Sequence, residues 1–200
     1  MEHLEIEIKF FIENVAPVRD KIVAIGGKSA GRHFEHNIVY DTRDGRLRKQ
    51  GALLRLRKYR NVMLTYKSAP GQPSREYKIR NEWEVEVENF STMNQILELI
   101  GYHRQFVYEK WREIFVMGNT HLCMDTLPYG EFLEIEGEKE DIREIAAVMG
   151  LNWESRILAN YHSLFERLRR DLSLSFGDIT FDQFRKIDIT PADCRRLFIP

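Results

Sequence analysis

The stretch Leu4-Glu5-Ile6-Glu7-Ile8-Lys9-Phe10-Phe11-Ile12 alternates charged and apolar residues with a period of two. Successive side chains of a strand point to opposite faces, so Glu5, Glu7 and Lys9 share one face and Ile6, Ile8 and Phe10 the other. The same division recurs along the chain. Arg55 and Arg57 oppose Leu54 and Leu56, with Lys67 on the neighbouring segment; Arg80, Glu82, Glu84 and Glu86 oppose Trp83, Val85 and Val87. Lys110 and Arg112 oppose Trp111, and Glu134 and Glu136 oppose Leu133 and Ile135.

A single strand of this kind reads as part of an open sheet, apolar side on helices and charged side in water. Five of them strain that reading, because solvated faces intersperse the two signs whereas here acids cluster with acids and bases with bases. Like charges side by side repel unless something neutralises them. Carboxylate clusters attract hard divalent cations, and Arg/Lys clusters attract polyanions. The arrangement that uses both is a closed barrel with a charged lumen. The basic set Lys9, Arg55, Arg57, Lys67, Arg80, Lys110 and Arg112 exceeds the acidic set Glu5, Glu7, Glu82, Glu84, Glu134 and Glu136 by one charge. Two divalent cations would bring such a lumen near the opposite of a nucleoside triphosphate, which carries about four negative charges at neutral pH.

Around these segments the elements fall in the order β-α-β-β-β, then β-α-β-β-β, then helices. Asn14 caps a helix with Pro17 near its first turn, ending at Gly26-Gly27. Extended chain follows over 32–41, a polar turn at Asp44-Gly45, and a hairpin of 53–59 with 62–67. After a loop at 69–74 comes the strand 80–88, then a helix capped by Ser91 and ending at Ile100-Gly101. Strands are read at 106–117, 120–125 and 132–136, and helices at about 139–149 and 155–170. Glu7 and Gly26 have the same separation as Glu82 and Gly101, a weak sign that the halves are related. Residues 171–200 read as an irregular tail that packs on the domain or on a partner.

The length of 200 residues, 43% of them hydrophobic, suits one domain with its own core. Acidic and basic residues, 31 against 30, leave a net charge of −1 and no general pull towards nucleic acid or an anionic membrane. No apolar run approaches the roughly 20 residues of a membrane span, and Met1-Glu2-His3-Leu4-Glu5 lacks the pattern of a secretory signal. Cys123 and Cys194 match neither a disulfide framework nor zinc spacing. A cytoplasmic location is expected.

Taken together the charged blocks resemble the CYTH superfamily, the triphosphate tunnel metalloenzymes, which include class IV adenylate cyclases, thiamine triphosphatases and inorganic triphosphatases. Glu5-Ile6-Glu7-Ile8-Lys9 resembles the family's E-x-E-x-K strand; Leu54-Arg55-Leu56-Arg57 and Tyr66-Lys67 resemble its arginine and lysine strands. Arg80-Asn81-Glu82-Trp83-Glu84, Glu109-Lys110-Trp111-Arg112, Asp125 with Gly130 to Glu136, and Tyr161 in Asn160-Tyr161-His162-Ser163-Leu164 follow in family order. Asn160 in place of Ser, and Tyr129 in place of Leu before Gly130, depart from the pattern without touching the charged set.

The resemblance implies an α+β fold, a mainly antiparallel eight-stranded β-barrel with helices outside, over about 1–170. It implies Mg²⁺ or Mn²⁺ on Glu5, Glu7, Glu134 and Glu136, with Glu82 and Glu84 as further ligands, and a catalytic role for Glu5, Glu7 and Lys9. Arg55, Arg57, Lys67, Arg80, Lys110 and Arg112 would grip the triphosphate. Lys9 would contact phosphate in preference to pairing with Glu7, and Asp125 would be a turn cap or a support behind the ligands. The implied ligand is ATP or inorganic triphosphate, with neither a membrane nor sequence-specific nucleic acid as partner and a homodimer left open. Water as attacker makes the chain a triphosphatase, the first reading; a ribose 3′-hydroxyl makes it an adenylate cyclase releasing cyclic AMP and pyrophosphate. A non-catalytic polyphosphate or nucleotide sensor is the third, opposed by glutamates a pure anion binder does not need.

Three other signals are set aside. Gly26-Gly27-Lys28-Ser29 looks like the end of a P-loop but lacks its first glycine and precedes a strand. His33 and His36 face opposite sides and read as surface residues, and His162 as structural. Trp83 and Trp111 lie on apolar faces and are expected beneath helices.

Overall fold

The computed structural model describes Leu4 to Ile199; Met1, Glu2, His3 and Pro200 fall outside that range, and with them part of the N-terminal reading. Eight antiparallel strands form a ring. They are β1 (Leu4–Ile12), β2 (Lys28–Asp41), β3 (Leu53–Lys58), β4 (Val62–Ser68), β5 (Lys78–Val87), β6 (His103–Met117), β7 (Thr120–Leu127) and β8 (Gly130–Glu136). Around the barrel the order is β1-β5-β4-β3-β2-β6-β7-β8, and β1 closes it by pairing with both β5 and β8. Exchanging each strand with its counterpart four places on, β1 with β5 and so forth, reproduces the same ring. The two halves are therefore related in topology. Their helices α1 (Val15–Ala24) and α3 (Phe90–Leu99) match in length, and Gly26 and Gly101 take the left-handed backbone just past them, at φ 101° and 93°.

The apolar strand faces point outward and are covered by helices. Ile6, Ile8, Leu133 and Ile135 bury against Ile22 of α1, Ile142 and Ile145 of α4 (Lys139–Val148) and Met149 at its C-cap. Each fully buried aliphatic side chain is worth about 1.5–3 kcal/mol. A second layer sets Leu97 of α3 against Ile38, Leu54, Leu56 and Val107. Part of the outer face of β5 and β6 is left uncovered. Trp83 and Trp111 are 43% and 39% exposed, so the expectation that helices lie over them is corrected.

Several boundaries differ from the sequence reading. The α3 cap is Asn89, whose side chain accepts from Thr92 N, rather than Ser91; such a cap is worth about 1 kcal/mol. β2 begins at Lys28, since a bulge between Ser29 and Gly31 lets the strand run through a stretch poor in β-formers. The short helix α2 (Arg46–Lys49) replaces a simple turn, because the Asp41 carboxylate accepts from the backbone N–H groups of Thr42, Leu47 and Arg48. The helix expected from about 155 starts later, as α5 (Tyr161–Asp171). Before it, Ile157 N donates to Lys9 O, in a bridge that keeps the chain extended. The tail is not irregular throughout. It ends in α6 (Pro191–Phe198), opened by a reciprocal cap between Thr190 and Asp193.

Residues 172–198 lie against one end of the barrel. Phe184, Cys194 and Phe198 join Leu127, Tyr129, Phe132 and the buried face of α5 in a third apolar cluster. Ile179 exchanges backbone hydrogen bonds with Val107 and Glu109, on the half of β6 that extends beyond β7.

Candidate active site

The lumen receives the charged face of the strands. Glu7 and Lys9 of β1 stand opposite Glu136 and Glu134 of β8, and Glu5 and Glu7 opposite Arg80 and Lys78 of β5. Lys67 of β4 pairs with Glu82 and Thr65 with Glu84; on the far wall Arg112 of β6 faces Asp125 of β7. The structure thus brings the sequence-read charges into one interior. Arg80 sits at the rim, its guanidinium donating to Gly51 O at 2.8 Å.

Sequence reasoning missed two charges. Lys78 lies two residues before Arg80 and continues its alternation; its Nζ is 2.7 Å from Glu7. Glu35 of β2 is 1% exposed and stands among Lys110 (3.6 Å), Arg57 (3.7 Å) and His33 (3.1 Å). Its signal was the polar alternation His33, Glu35, Asn37. His33 is correspondingly a partner of the lumen rather than a surface residue. Asp125 is resolved as a support and not a turn cap. Fully buried on β7, it accepts from Lys110 at 3.0 Å, from Arg112 Nε at 2.6 Å and from the Tyr161 hydroxyl at 2.8 Å.

Access falls along the lumen. The side chains of Glu84, Glu82, Lys78 and Lys67 are 29, 22, 18 and 16% exposed, whereas Lys110, Lys9, Glu35 and Asp125 lie between 3% and 0%. Lys9 touches Glu134 at 2.8 Å and Glu7 at 3.5 Å, and its ammonium sits 4.4 Å from the centre of the Tyr161 ring. Burial would raise the Glu7 pKa, but Lys78 and Lys9 outweigh burial and the repulsion of Glu134 and hold it down at about 2. Glu134 is likewise held well below the ordinary range by Lys9 and Arg112, against burial.

Glu136 differs from both. Among the described residues no lysine or arginine lies within ion-pair distance of it. Burial, with Glu5 and Glu7 beside it, pushes its pKa up to about 7. Glu5 is raised too, by burial and Glu7, despite its 2.6 Å contact with Lys67. On the other wall four buried polar atoms lack a hydrogen bond: Arg55 Nε, Arg57 Nε, Glu35 Oε2 and Asn37 Oδ1. Buried polar groups are nearly always satisfied, so a run of orphaned donors and acceptors on the adjacent strands β2 and β3 marks a ligand-binding interior.

Among the described residues no three carboxylate, His or Cys side chains stand ready around a metal ion, because Glu5 and Glu7 are turned to lysines. The donor set nevertheless fits a hard cation. Glu5, Glu7 and Glu136 are carboxylates crowded together, with one fewer cation than carboxylate at that spot, and carboxylate oxygens suit a hard cation. With Lys78, Glu35 and Asp125 added, the single excess positive charge of the sequence-read set disappears.

This geometry can be set beside known proteins. The CYTH domain model matches residues 3–158, most of the chain. The chain is an enzyme of the CYTH family. A Methanocaldococcus jannaschii relative, MJ0240, provisionally named an adenylate cyclase, is 29% identical over 143 residues, covering 70% of this chain and 81% of the relative. A Vibrio parahaemolyticus structure with the same provisional name has 20% identity and a TM-score of 0.74, covering 83% of this chain and 99% of the other. A Hippeastrum protein, HpAC1, described as having a dominant triphosphatase activity, has 18% identity and a TM-score of 0.58, covering 81% and 95%. At that identity the two structures speak to the fold, and both agree with the barrel. No helix of the described CYTH chain is long and apolar enough to cross a membrane.

Proposed function

We propose that this CYTH enzyme binds a triphosphate together with Mg²⁺ or Mn²⁺ in the lumen and hydrolyses it, with water as the attacking group. The observation that carries the reading is the pairing of opposite vacancies in hydrogen bonding and charge: the orphaned Arg55 and Arg57 Nε donors on one wall, the unpaired Glu136 on the other. A bare polyanion satisfies only the first wall and a bare cation only the second. A metal–triphosphate complex satisfies both, and with two divalent cations its charge is close to neutral, as the lumen's is.

Glu5, Glu7 and Glu136 would hold the cation, with Glu82, Glu84 and Glu134 nearby on β5 and β8. When bound, the cation neutralises phosphate oxygens and lowers the pKa of water beside them. The chain's own work is electrostatic. Arg55 and Arg57 offer fixed N–H donors to phosphate oxygens, and Lys67, Lys110 and Arg112 supply positive charge where the breaking P–O bond builds negative charge. Asp125 holds Lys110 and Arg112 in place through the hydrogen bonds it accepts from both, and is itself steadied by the Tyr161 hydroxyl. Lys9, clamped between Glu134 and Tyr161, aligns the carboxylates and faces the incoming anion.

Hydrolysis is preferred over cyclisation because the activity described for the Hippeastrum relative is a dominant triphosphatase activity. The name of the Methanocaldococcus jannaschii relative favours the second reading, an adenylate cyclase. Incubation with ATP or tripolyphosphate and Mg²⁺ or Mn²⁺ separates them. Released orthophosphate is expected, and cyclic AMP with pyrophosphate would replace the hydrolase by the cyclase.

A further inference from the structure

Away from the lumen, the outward positions of β4 and β5 pair as Val62 with Val87, Leu64 with Val85 and Tyr66 with Trp83. Val62, Leu64 and Val87 pack against the cluster around Leu97 of α3. Tyr66, Trp83 and Val85 lie beyond that cover; the two rings rest on each other at 5.9 Å, and Val85 is 56% exposed. The helix adds to this surface. Its Asn94 accepts from the Tyr40 hydroxyl of β2 and donates to Glu98, which fixes the flank turned to β2. At about 3.6 residues per turn, Ile96 and Ile100 fall on the opposite flank, towards β4 and β5, with Leu99 above them. Leu99 and Ile100 are 86% and 63% exposed. Six of the ten large apolar side chains exposed among the described residues thus gather on one face of the molecule.

Side chains of this size present roughly 150–250 Å² when fully exposed, so at their observed exposures the six offer on the order of 600 Å². That is the upper end of what the surface of a monomer carries. Two such faces together would bury about 1,200 Å², where specific protein interfaces begin. The charge pattern says what the second surface is. Charged residues make up 30% of the chain, yet none stands at an outward position of β4 or β5. The single charge within α3, Glu98, sits on the far flank. Such a face offers no complement to nucleic acid, an anion or a charged peptide. Both strands are already paired on either side within the ring, so an added strand is excluded as well. In a two-fold dimer the same patch meets itself, which sets like charges together on a charged face and costs nothing of that kind here. We propose that the β4–β5–α3 face docks a second copy of this chain in a two-fold dimer.

The test is sedimentation equilibrium of the full chain across micromolar concentrations, without ligand. The parent is expected to approach twice the mass of one chain. Leu99→Lys and Val85→Lys each set a cation against its own copy, on side chains that already stand largely in solvent. Their circular dichroism spectra should match the parent's, while the dimer dissociation constant should rise at least about tenfold in each. Val148→Lys alters a similarly exposed apolar side chain on α4 and should leave the dimer intact. A monomeric parent overturns the proposal, and its retention on phosphatidylcholine vesicles would assign the face to a lipid surface instead. A dimer that survives both Leu99→Lys and Val85→Lys, or one that Val148→Lys dissolves equally, overturns it too.

Discussion

Replacing Glu136 by Gln should make the metal-free protein more stable and the enzyme nearly inactive. The two effects have one cause. Ionised Glu136 stands beside Glu5 and Glu7 without a cation, which raises its pKa from 4.5 to about 7. A raised carboxyl pKa means that the folded state binds the proton more tightly than the unfolded state. Stability from this group is thus fully present below pH 4.5 and is lost as pH rises through 7. The loss at higher pH is at most about 3 kcal/mol. Glu136→Gln removes it, so the melting temperature at pH 8 should rise by several degrees and the fall in stability between pH 5 and 7 should flatten. The same change deletes a hard oxygen ligand, so turnover at fixed Mg²⁺ should fall by about 100-fold or more, partly recovered at high Mg²⁺. Melting curves across pH and turnover against Mg²⁺ measure the two halves. A variant less stable than the parent at pH 8, with undiminished activity, would show that Glu136 is an ordinary surface carboxylate.

Asp125→Ala is expected to be the most damaging change in the lumen. The carboxylate is fully buried and accepts from Lys110, Arg112 and Tyr161. Its removal leaves two buried cations short of a counter-ion, and breaking buried pairs in this way costs about 3–5 kcal/mol. Tripolyphosphate with Mg²⁺ should restore much of the lost melting temperature, because phosphate oxygens can take the place of the missing carboxylate. The thermal shift caused by the ligand should therefore be larger in the variant than in the parent. An equal or smaller shift would mean that phosphate does not approach Lys110 and Arg112.

The barrel was legible because its strands carry two patterns at once, apolar on one face and charge sorted by sign on the other. Glu5-Ile6-Glu7-Ile8-Lys9 shows both, and each of its side chains stands where the period of two placed it. Lys78 and Glu35 were missed for different reasons. Lys78 lies in the first turn of alternation after a loop, where a strand start is hard to fix. Glu35 sits among His33 and Asn37, polar but not charged neighbours, so its segment lacked the block signature. The exposure of Trp83 and Trp111 was invisible because alternation says which side is apolar and not what lies over it. The Thr190-Pro191-Ala192-Asp193 cap was written plainly in the sequence, but the surrounding polar residues hid the short helix it opens. What the tail covers could not be read at all, since sealing the barrel depends on contacts between residues 11, 132 and 198, far apart in the chain.

Asn160 shows how a departure from the family pattern is absorbed. Its side chain accepts from Ser163 N and caps α5, which is the bond a serine would make there, so Tyr161 keeps its place under Lys9.

Calorimetric titration of the parent protein with tripolyphosphate, in Mg²⁺ and again in a chelator, tests the central claim most directly. A lumen whose cations are already matched by carboxylates should bind the free anion weakly and the metal complex at least about 100-fold more tightly, a coupling of about 3 kcal/mol. Equal affinity with and without Mg²⁺ would contradict the account, because it would mean that the lumen answers to the phosphate charge alone and that the clustered glutamates hold no cation.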